Sequence, residues 1–184
     1  MEQSVKERVM VRLERCTGCR SCEIACRVAH SRGGTLLTAV LEEPKPSRRI
    51  FVEQAADSPA PFLCRHCEDA PCVRCCPTGA LAFDEDSRLV VYTEPRCIGC
   101  HACVMACPFG VIQPGRGNGY VVKCDRCPGR DQPACVEACP TKALVLESRF
   151  ISDRRLRTVA RFVEAARGGP PVEDMLASGS PQTP

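Results

Sequence analysis

Four sets of closely spaced cysteines constrain this chain more than any other feature of its sequence. They use all but one of its 17 cysteines. We name them motif one (Cys16, Cys19, Cys22, Cys26), motif two (Cys64, Cys67, Cys72, Cys76), motif three (Cys97, Cys100, Cys103, Cys107) and motif four (Cys124, Cys127, Cys135, Cys139). Thiols at this density favour soft metals, so metal binding is the first hypothesis for what organises the fold.

Motif three has the spacing C-x-x-C-x-x-C-x-x-x-C followed directly by Pro108. This pattern is typical of proteins in which three cysteines hold one 4Fe-4S cluster and the fourth reaches to another. The fourth cysteine therefore needs a partner motif, and the other three motifs can supply one. We predict that the sixteen motif cysteines hold four 4Fe-4S clusters. The alternative is a scaffold of all-cysteine zinc sites. Such sites usually show two separated C-x-x-C pairs, so three or four cysteines in one run favour the cluster.

The composition fits a fold stabilised by metal rather than by a large apolar core. The 184 residues include no Trp and only 4% aromatic residues, so bound metal should supply much of the folding free energy. The odd number of cysteines argues against a disulfide framework. The amino terminus has no apolar leader, and no stretch reaches the length of a membrane span. The sequence therefore predicts a cytoplasmic protein without a membrane span.

The formal net charge of +3 counts every cysteine as neutral. Each oxidised cluster with four thiolates carries about 2 negative charges, so four clusters would shift the total to about −5. The apparent basicity is therefore no sign of nucleic-acid binding.

The segments between the motifs predict short helices and strands. Alternating apolar residues before motif one predict an edge strand. A helical turn is expected over 36–43 and a strand over 49–52, and the following apolar residues should be buried there: Leu36, Leu37, Val40, Leu41, Ile50 and Val52. Polar turns between apolar runs predict β-hairpins over 81–92 and 111–123.

Three stretches repeat the pattern Cys-Val-x-x-Cys-Pro followed by aliphatic residues: 72–83, 103–113 and 135–146. This alignment assigns Cys76 rather than Cys75 as the ligand in motif two. The repeated unit predicts an α+β fold of two fused, bacterial-type two-cluster ferredoxin modules, with short helices and β-hairpins, over residues 1–148. Residues 149–184 are expected to form a basic amphipathic helix over 153–167 and a disordered tail.

Over about residues 6–147 the chain resembles the four-cluster ferredoxin-like electron-transfer subunits. These occur with carbon monoxide dehydrogenase, formate dehydrogenase and hydrogenlyase, dimethyl sulfoxide reductase and tungsten aldehyde oxidoreductase. The four motifs carry the resemblance, especially CRHCEDAPCVRCCPTGAL and KCDRC. Loop lengths alone permit motif one to pair with two, and three with four. The resemblance instead implies four sites that pair one with four and two with three: Cys16/Cys19/Cys22/Cys139, Cys26/Cys124/Cys127/Cys135, Cys64/Cys67/Cys72/Cys107 and Cys76/Cys97/Cys100/Cys103.

The resemblance also implies a function without substrate chemistry of its own. We expect an electron-transfer subunit that relays single electrons between a large catalytic oxidoreductase subunit and a flavin, ferredoxin or hydrogenase module. The site at Cys97 is expected to be an inner station of that path. A free, diffusible polyferredoxin is the main alternative. The basic helix could dock on the partner, on another copy of the chain or on its own domain.

Overall fold

Short helices and paired strands alternate along the part of the chain that the computed structural model describes, which is residues 7–55, 58–115 and 119–148. The α-helices in these ranges are α1 (Ser21–Ala29), α2 (Leu36–Leu41), α3 (Pro71–Arg74), α4 (Ala102–Ala106) and α5 (Ala134–Glu137). The strands are β1 (Glu7–Val11), β2 (Ile50–Ala55), β3 (Ser58–Leu63), β4 (Leu81–Asp84), β5 (Leu89–Tyr92), β6 (Gln113–Pro114), β7 (Val121–Val122) and β8 (Leu144–Ser148). The expected helix over 153–167 and the tail lie outside the described residues.

The strands described pair two by two. Three pairs are antiparallel hairpins, β2 with β3, β4 with β5 and β6 with β7; the fourth joins β1 to β8. In β2–β3 Phe51 faces Phe62, and in β4–β5 Phe83 faces Val90. Next to β1, the Arg12 N–H donates to the Ala143 carbonyl at 2.7 Å. The chain before motif one is therefore tied to the chain after motif four.

Three of the helices that carry cysteines, α3, α4 and α5, end just before a Cys-Pro pair. Helices α3, α4 and α5 have only four or five residues, and each stops before a Cys-Pro pair that ends in Pro77, Pro108 or Pro140. Proline lacks an N–H and disfavours helical backbone in the residue before it. Motif one has Arg27 in that place, and α1 runs on for nine residues with Cys26 inside it.

Two separate groups of buried residues form the core of the described residues. One packs Ile50 and Leu144, both nearly inaccessible, with four cysteines of motifs one and four: Cys22, Cys26, Cys135 and Cys139. The other packs Leu81, Val90 and Ile112 with cysteines of motifs two and three, including Cys72 and Cys103. The mixture of short helices and antiparallel strand pairs is an α+β fold, as predicted.

Most of the predicted elements are present, with two differences. Strand β3 was not predicted, since it contains Pro59 and Pro61; a two-stranded ribbon tolerates proline because one of its edges needs no donors. The apolar residues of α2 were expected to be buried, and this is wrong for Leu36, Leu37, Val40 and Leu41, which are 57–71% exposed. Helix α2 is instead stabilised locally, by a capping box between Thr35 and Thr38, and buries Ala39.

No helix in the described ranges is both long enough and apolar enough to cross a bilayer.

Candidate metal centres

Cysteines from motifs one and four line a common small cavity. Its walls include Cys16, Cys19, Cys22 and Cys139, a group that we call site one. Burial, together with the nearby charges of Glu23, Cys19 and Cys139, raises the pKa of Cys22 to about 11. Thiols crowded out of water resist ionisation unless a cation stabilises the thiolates, so this arrangement suits a metal.

A second group, site two, brings Cys26 of motif one together with Cys124, Cys127 and Cys135 of motif four. Burial raises the pKa of Cys135 far above its ordinary value, and the other three thiols of the group raise it further, as does Cys22. Burial likewise raises the pKa of Cys124 to about 12. The Arg49 N–H donates to the Cys26 sulfur at 3.3 Å. Backbone donors to sulfur are a usual feature of iron–sulfur sites.

Motifs two and three contribute the third group, site three, formed by Cys64, Cys67, Cys72 and Cys107. Burial raises the pKa of Cys67, and Cys64 and Cys107 both add to the shift. Burial raises the pKa of Cys72 to about 11, again with contributions from Cys64 and Cys107. Cys107, at the end of motif three, is therefore near enough to act on Cys67 and Cys72 of motif two.

The fourth group, site four, lines a small cavity with Cys76, Cys97, Cys100 and Cys103. Burial raises the pKa of Cys103 to about 11. The unassigned Cys75 does not line this cavity; its thiol lies 3.5 Å from the Cys72 carbonyl, although it is close enough to raise the pKa of Cys103.

The four sites are neighbours in a definite order. The charge of Cys22 in site one reaches Cys135 in site two, Cys64 in site three reaches Cys124 in site two, and Cys103 in site four reaches Cys72 in site three. Among the sixteen thiols, those of Cys19 in site one and Cys100 in site four belong to exposed residues. These electrostatic effects thus link site one to two, two to three and three to four, with an exposed cysteine at each end.

Each motif opens with a Cys-x-x-Cys loop whose third residue has left-handed backbone. These residues are Gly18 (φ 71°), His66 (φ 47°), Gly99 (φ 68°) and Arg126 (φ 70°). The two glycines fit the conformation without cost, whereas other residues pay about 1–2 kcal/mol for it. Sequence reasoning identified the glycines and missed the other two, although alignment of the four loops would have placed them at the same position.

The ring of His66, in the loop of site three, has a buried nitrogen without a hydrogen-bond partner among the described residues. The Val90 N–H donates to its Nδ1 at 3.1 Å, so the neutral ring carries its proton on Nε2, which is buried and has no partner among the described residues. Burial, followed by the charge of Lys123, lowers the pKa of His66 to about 3. A buried donor between two candidate ligands fits a group that brings its own acceptors, as the sulfides of a 4Fe-4S cluster do.

A polar network joins the loop of motif four to the segment after motif one. Asp125 accepts from His30 Nε2 at 3.1 Å and from the Cys127 N–H at 3.0 Å, and it also pairs with Arg49. Burial works against the charge of His30, but the bonds to Asp125 and Cys26 outweigh it and raise the pKa to about 10. His30, Asp125 and Cys127 are close enough to share one ion. Their hydrogen bonds to each other and to Arg49 indicate instead a network that braces site two.

Comparisons with known proteins identify 4Fe-4S binding domains in this chain. A family profile described as a 4Fe-4S dicluster domain matches residues 58–149, and another, described as a 4Fe-4S binding domain, matches residues 13–29. The "Iron-sulfur protein" of Rhodospirillum rubrum is 40% identical over 158 residues, covering 76% of this chain and 82% of that protein. The electron transport protein HydN of Escherichia coli (strain K12) is 38% identical over 169 residues, covering 80% of this chain and 94% of HydN.

A third relative is the polyferredoxin-like subunit of an aliphatic sulfonate oxidoreductase of Pyrococcus furiosus, 40% identical over 76% of each chain. Other relatives are much longer: the chain spans 24% and 23% of the putative oxidoreductases AegA and UacF of Escherichia coli (strain K12). Among solved structures, a chain titled "Active site complex BamBC of Benzoyl Coenzyme A reductase as isolated" aligns at 22% identity over 86% of this chain and 96% of that chain; its TM-score of 0.43 is too low to carry an argument.

The dicluster profile covers half of the chain, and relatives of similar length share about 40% of its residues. The chain belongs to the family of multi-cluster, ferredoxin-like iron–sulfur electron-transfer subunits.

Proposed function

We propose that this chain is a relay of four 4Fe-4S clusters, held by the sixteen motif cysteines in sites one to four. The observation that carries the proposal is the meeting of each motif's fourth cysteine with three cysteines of another motif. A bound 4Fe-4S cluster takes up and releases one electron at a time. The two buried core groups, one around motifs one and four and one around motifs two and three, support an arrangement of two fused two-cluster modules.

The chain's own residues would hold these centres and exclude water from them. The buried thiols supply soft ligands, and backbone N–H groups such as that of Arg49 donate to sulfur. The order of the electrostatic effects between thiols supports a linear path from site one to site four, entered and left near the exposed Cys19 and Cys100. On this proposal the site at Cys97 is an end of the path, and not the inner station expected from the sequence.

The names of the relatives support a catalytic partner. One relative is a polyferredoxin-like subunit of a sulfonate oxidoreductase, and in two others the matching region is about a quarter of a chain named as a putative oxidoreductase. We propose that this chain exchanges electrons with a large oxidoreductase subunit of the carbon monoxide dehydrogenase, formate dehydrogenase or tungsten aldehyde oxidoreductase type. A flavin, ferredoxin or hydrogenase module would be at the other end. The odd number of cysteines favours a reducing, cytoplasmic setting.

Purification of the native protein under anaerobic conditions tests this proposal. We expect a large oxidoreductase subunit to copurify, and its substrate to reduce the iron–sulfur centres of this chain within the complex. Isolation as a single chain that an oxidoreductase reduces only through diffusional encounter would favour the free polyferredoxin. Zinc in place of iron would contradict the relay.

A further inference from the structure

Lys123 lies buried at the junction between sites two and three. It is 4% exposed, and it is the one buried lysine or arginine among the residues described. Its Nζ donates to the Val90 carbonyl at 2.6 Å and to the Cys124 carbonyl at 2.7 Å. Val90 in turn donates its N–H to His66, which lies between Cys64 and Cys67. One chain of hydrogen bonds thus joins the Cys-x-x-Cys loop of site three to Cys124 of site two.

The positive charge of Lys123 acts on thiols of both sites. Burial raises the pKa of Cys72 in site three and of Cys124 in site two, and in each case Lys123 works in the opposite direction. Its charge also disfavours a proton on His66, after the larger effect of burial. The ammonium is therefore near enough to influence both sites, although it donates a hydrogen bond to a cysteine carbonyl in site two alone.

A buried charge at this junction has a direct consequence for electron transfer. Each loaded site carries about 2 negative charges, and an added electron increases this. A fixed cation favours the more negative state, and it does so more strongly in a low-dielectric interior than in water. Another basic group near site two, Arg49, is already paired with Asp125.

We propose that Lys123 is a shared potential-setting residue, whose buried positive charge raises the reduction potentials of the centres in sites two and three together. The inference rests on the proposed four-cluster relay. Lys123 acts through its charge and through the position of its hydrogen bonds, since its ammonium donates to the backbone carbonyls of Val90 and Cys124.

The test is a redox titration of the full chain, loaded anaerobically and followed by electron paramagnetic resonance. The variant Lys123→Gln keeps an amide donor for the carbonyls and removes the charge. We expect two of the four midpoint potentials to fall and the other two to move less. Cys26→Ser and Cys107→Ser, which each remove a ligand of one inner site, identify the two that fall. Lys123→Arg should restore both potentials. Lys142→Gln, the matched control at an exposed lysine, should leave all four in place.

Unchanged potentials in Lys123→Gln, or a shift confined to the outer sites, would overturn this proposal. If Lys123→Gln fails to hold iron, Lys123→Met provides the same comparison. Loss of iron from both, with full iron in Lys123→Arg, would assign the charge to assembly and also overturn it. The iron content of the unaltered chain distinguishes failure of the relay from failure of the Lys123 proposal. Fewer than four clusters in the unaltered chain would contradict the relay itself. Four clusters, with the same potentials in Lys123→Gln as in the unaltered chain, would contradict only the role of Lys123.

Discussion

If the proposed relay is correct, replacement of Glu23 by alanine should release the clusters of sites one and two while sparing those of sites three and four. Glu23 lies in α1 between Cys22 and Cys26, which belong to the two sites, and is 5% exposed. Its Oε1 accepts the Val52 N–H at 2.7 Å, and its Oε2 lies 3.7 Å from Arg48 Nη1. This carboxylate therefore fastens the helix that carries both thiols to strand β2.

The size of the effect follows from these contacts. A hydrogen bond to a charged acceptor contributes about 1.5–3 kcal/mol, and a buried N–H left without an acceptor costs about 1–3 kcal/mol. Both figures describe loss of the same Glu23–Val52 bond, so they are not simply added. The Arg48 pair is partly exposed and adds at most about 1 kcal/mol. We expect Glu23→Ala to destabilise the packing of α1 by about 2–4 kcal/mol. At the lower limit this is about a 30-fold increase in the population of the opened state.

Denaturant-induced cluster loss measures this prediction, because proteins with bound metal centres often unfold irreversibly. The cluster absorbance should bleach faster in Glu23→Ala, and iron should be released faster. The electron paramagnetic resonance signals of the centres in sites one and two should disappear before those of sites three and four. Glu23→Gln keeps an acceptor for the Val52 N–H, so its rate of cluster loss should lie between those of the unaltered chain and Glu23→Ala. Glu53→Ala changes an exposed acid on the same strand and should behave as the unaltered chain. Equal loss of all four centres, or bleaching as slow as in the unaltered chain, would show that Glu23 does not fasten the thiols of α1 to β2.

Two further substitutions test the sites themselves. Cys26→Ser should abolish the centre held by the first three cysteines of motif four and preserve the one held by the first three of motif two; the reverse result would refute the pairing of motifs. Gly99→Ala should lose iron more readily than Gly18→Ala, as iron analysis after mild denaturation would show. A Cβ at Gly99 would lie 2.6 Å from the Gly119 carbonyl oxygen, whereas one at Gly18 would meet the Pro59 side chain at 3.1 Å. Both positions are left-handed, so equal losses would mean that backbone conformation, and not the neighbouring carbonyl, decides the outcome.

The parts of the fold that depend on local chemistry could be predicted from the sequence. Cysteine spacing marks the ligand loops, and the proline after the fourth cysteine of motifs two, three and four predicts where α3, α4 and α5 end. The absence of that proline at Arg27 also accounts for the longer α1. Apolar alternation around polar turns identified the β4–β5 and β6–β7 hairpins.

The features that depend on tertiary packing could not be predicted in this way. A lysine beside a cysteine is expected to be solvated, and nothing local indicates that Lys123 is buried between two sites. Helix α2 looks like a core helix by composition, yet its leucines are exposed because Ala39 is the residue that packs inward. The order of the sites also differs from the order of the motifs along the chain. Thiols of motif four feel the charges of cysteines in both motif one and motif two, so the site held mainly by motif three, third in sequence, comes last in this order.

The four-cluster relay is tested by the count of iron and acid-labile sulfide per chain in anaerobically prepared protein. We expect about 16 of each, as four 4Fe-4S clusters require, with no stoichiometric zinc. About 8 of each would mean that two of the four proposed sites hold no cluster. About 4 zinc ions with no sulfide would contradict the relay altogether.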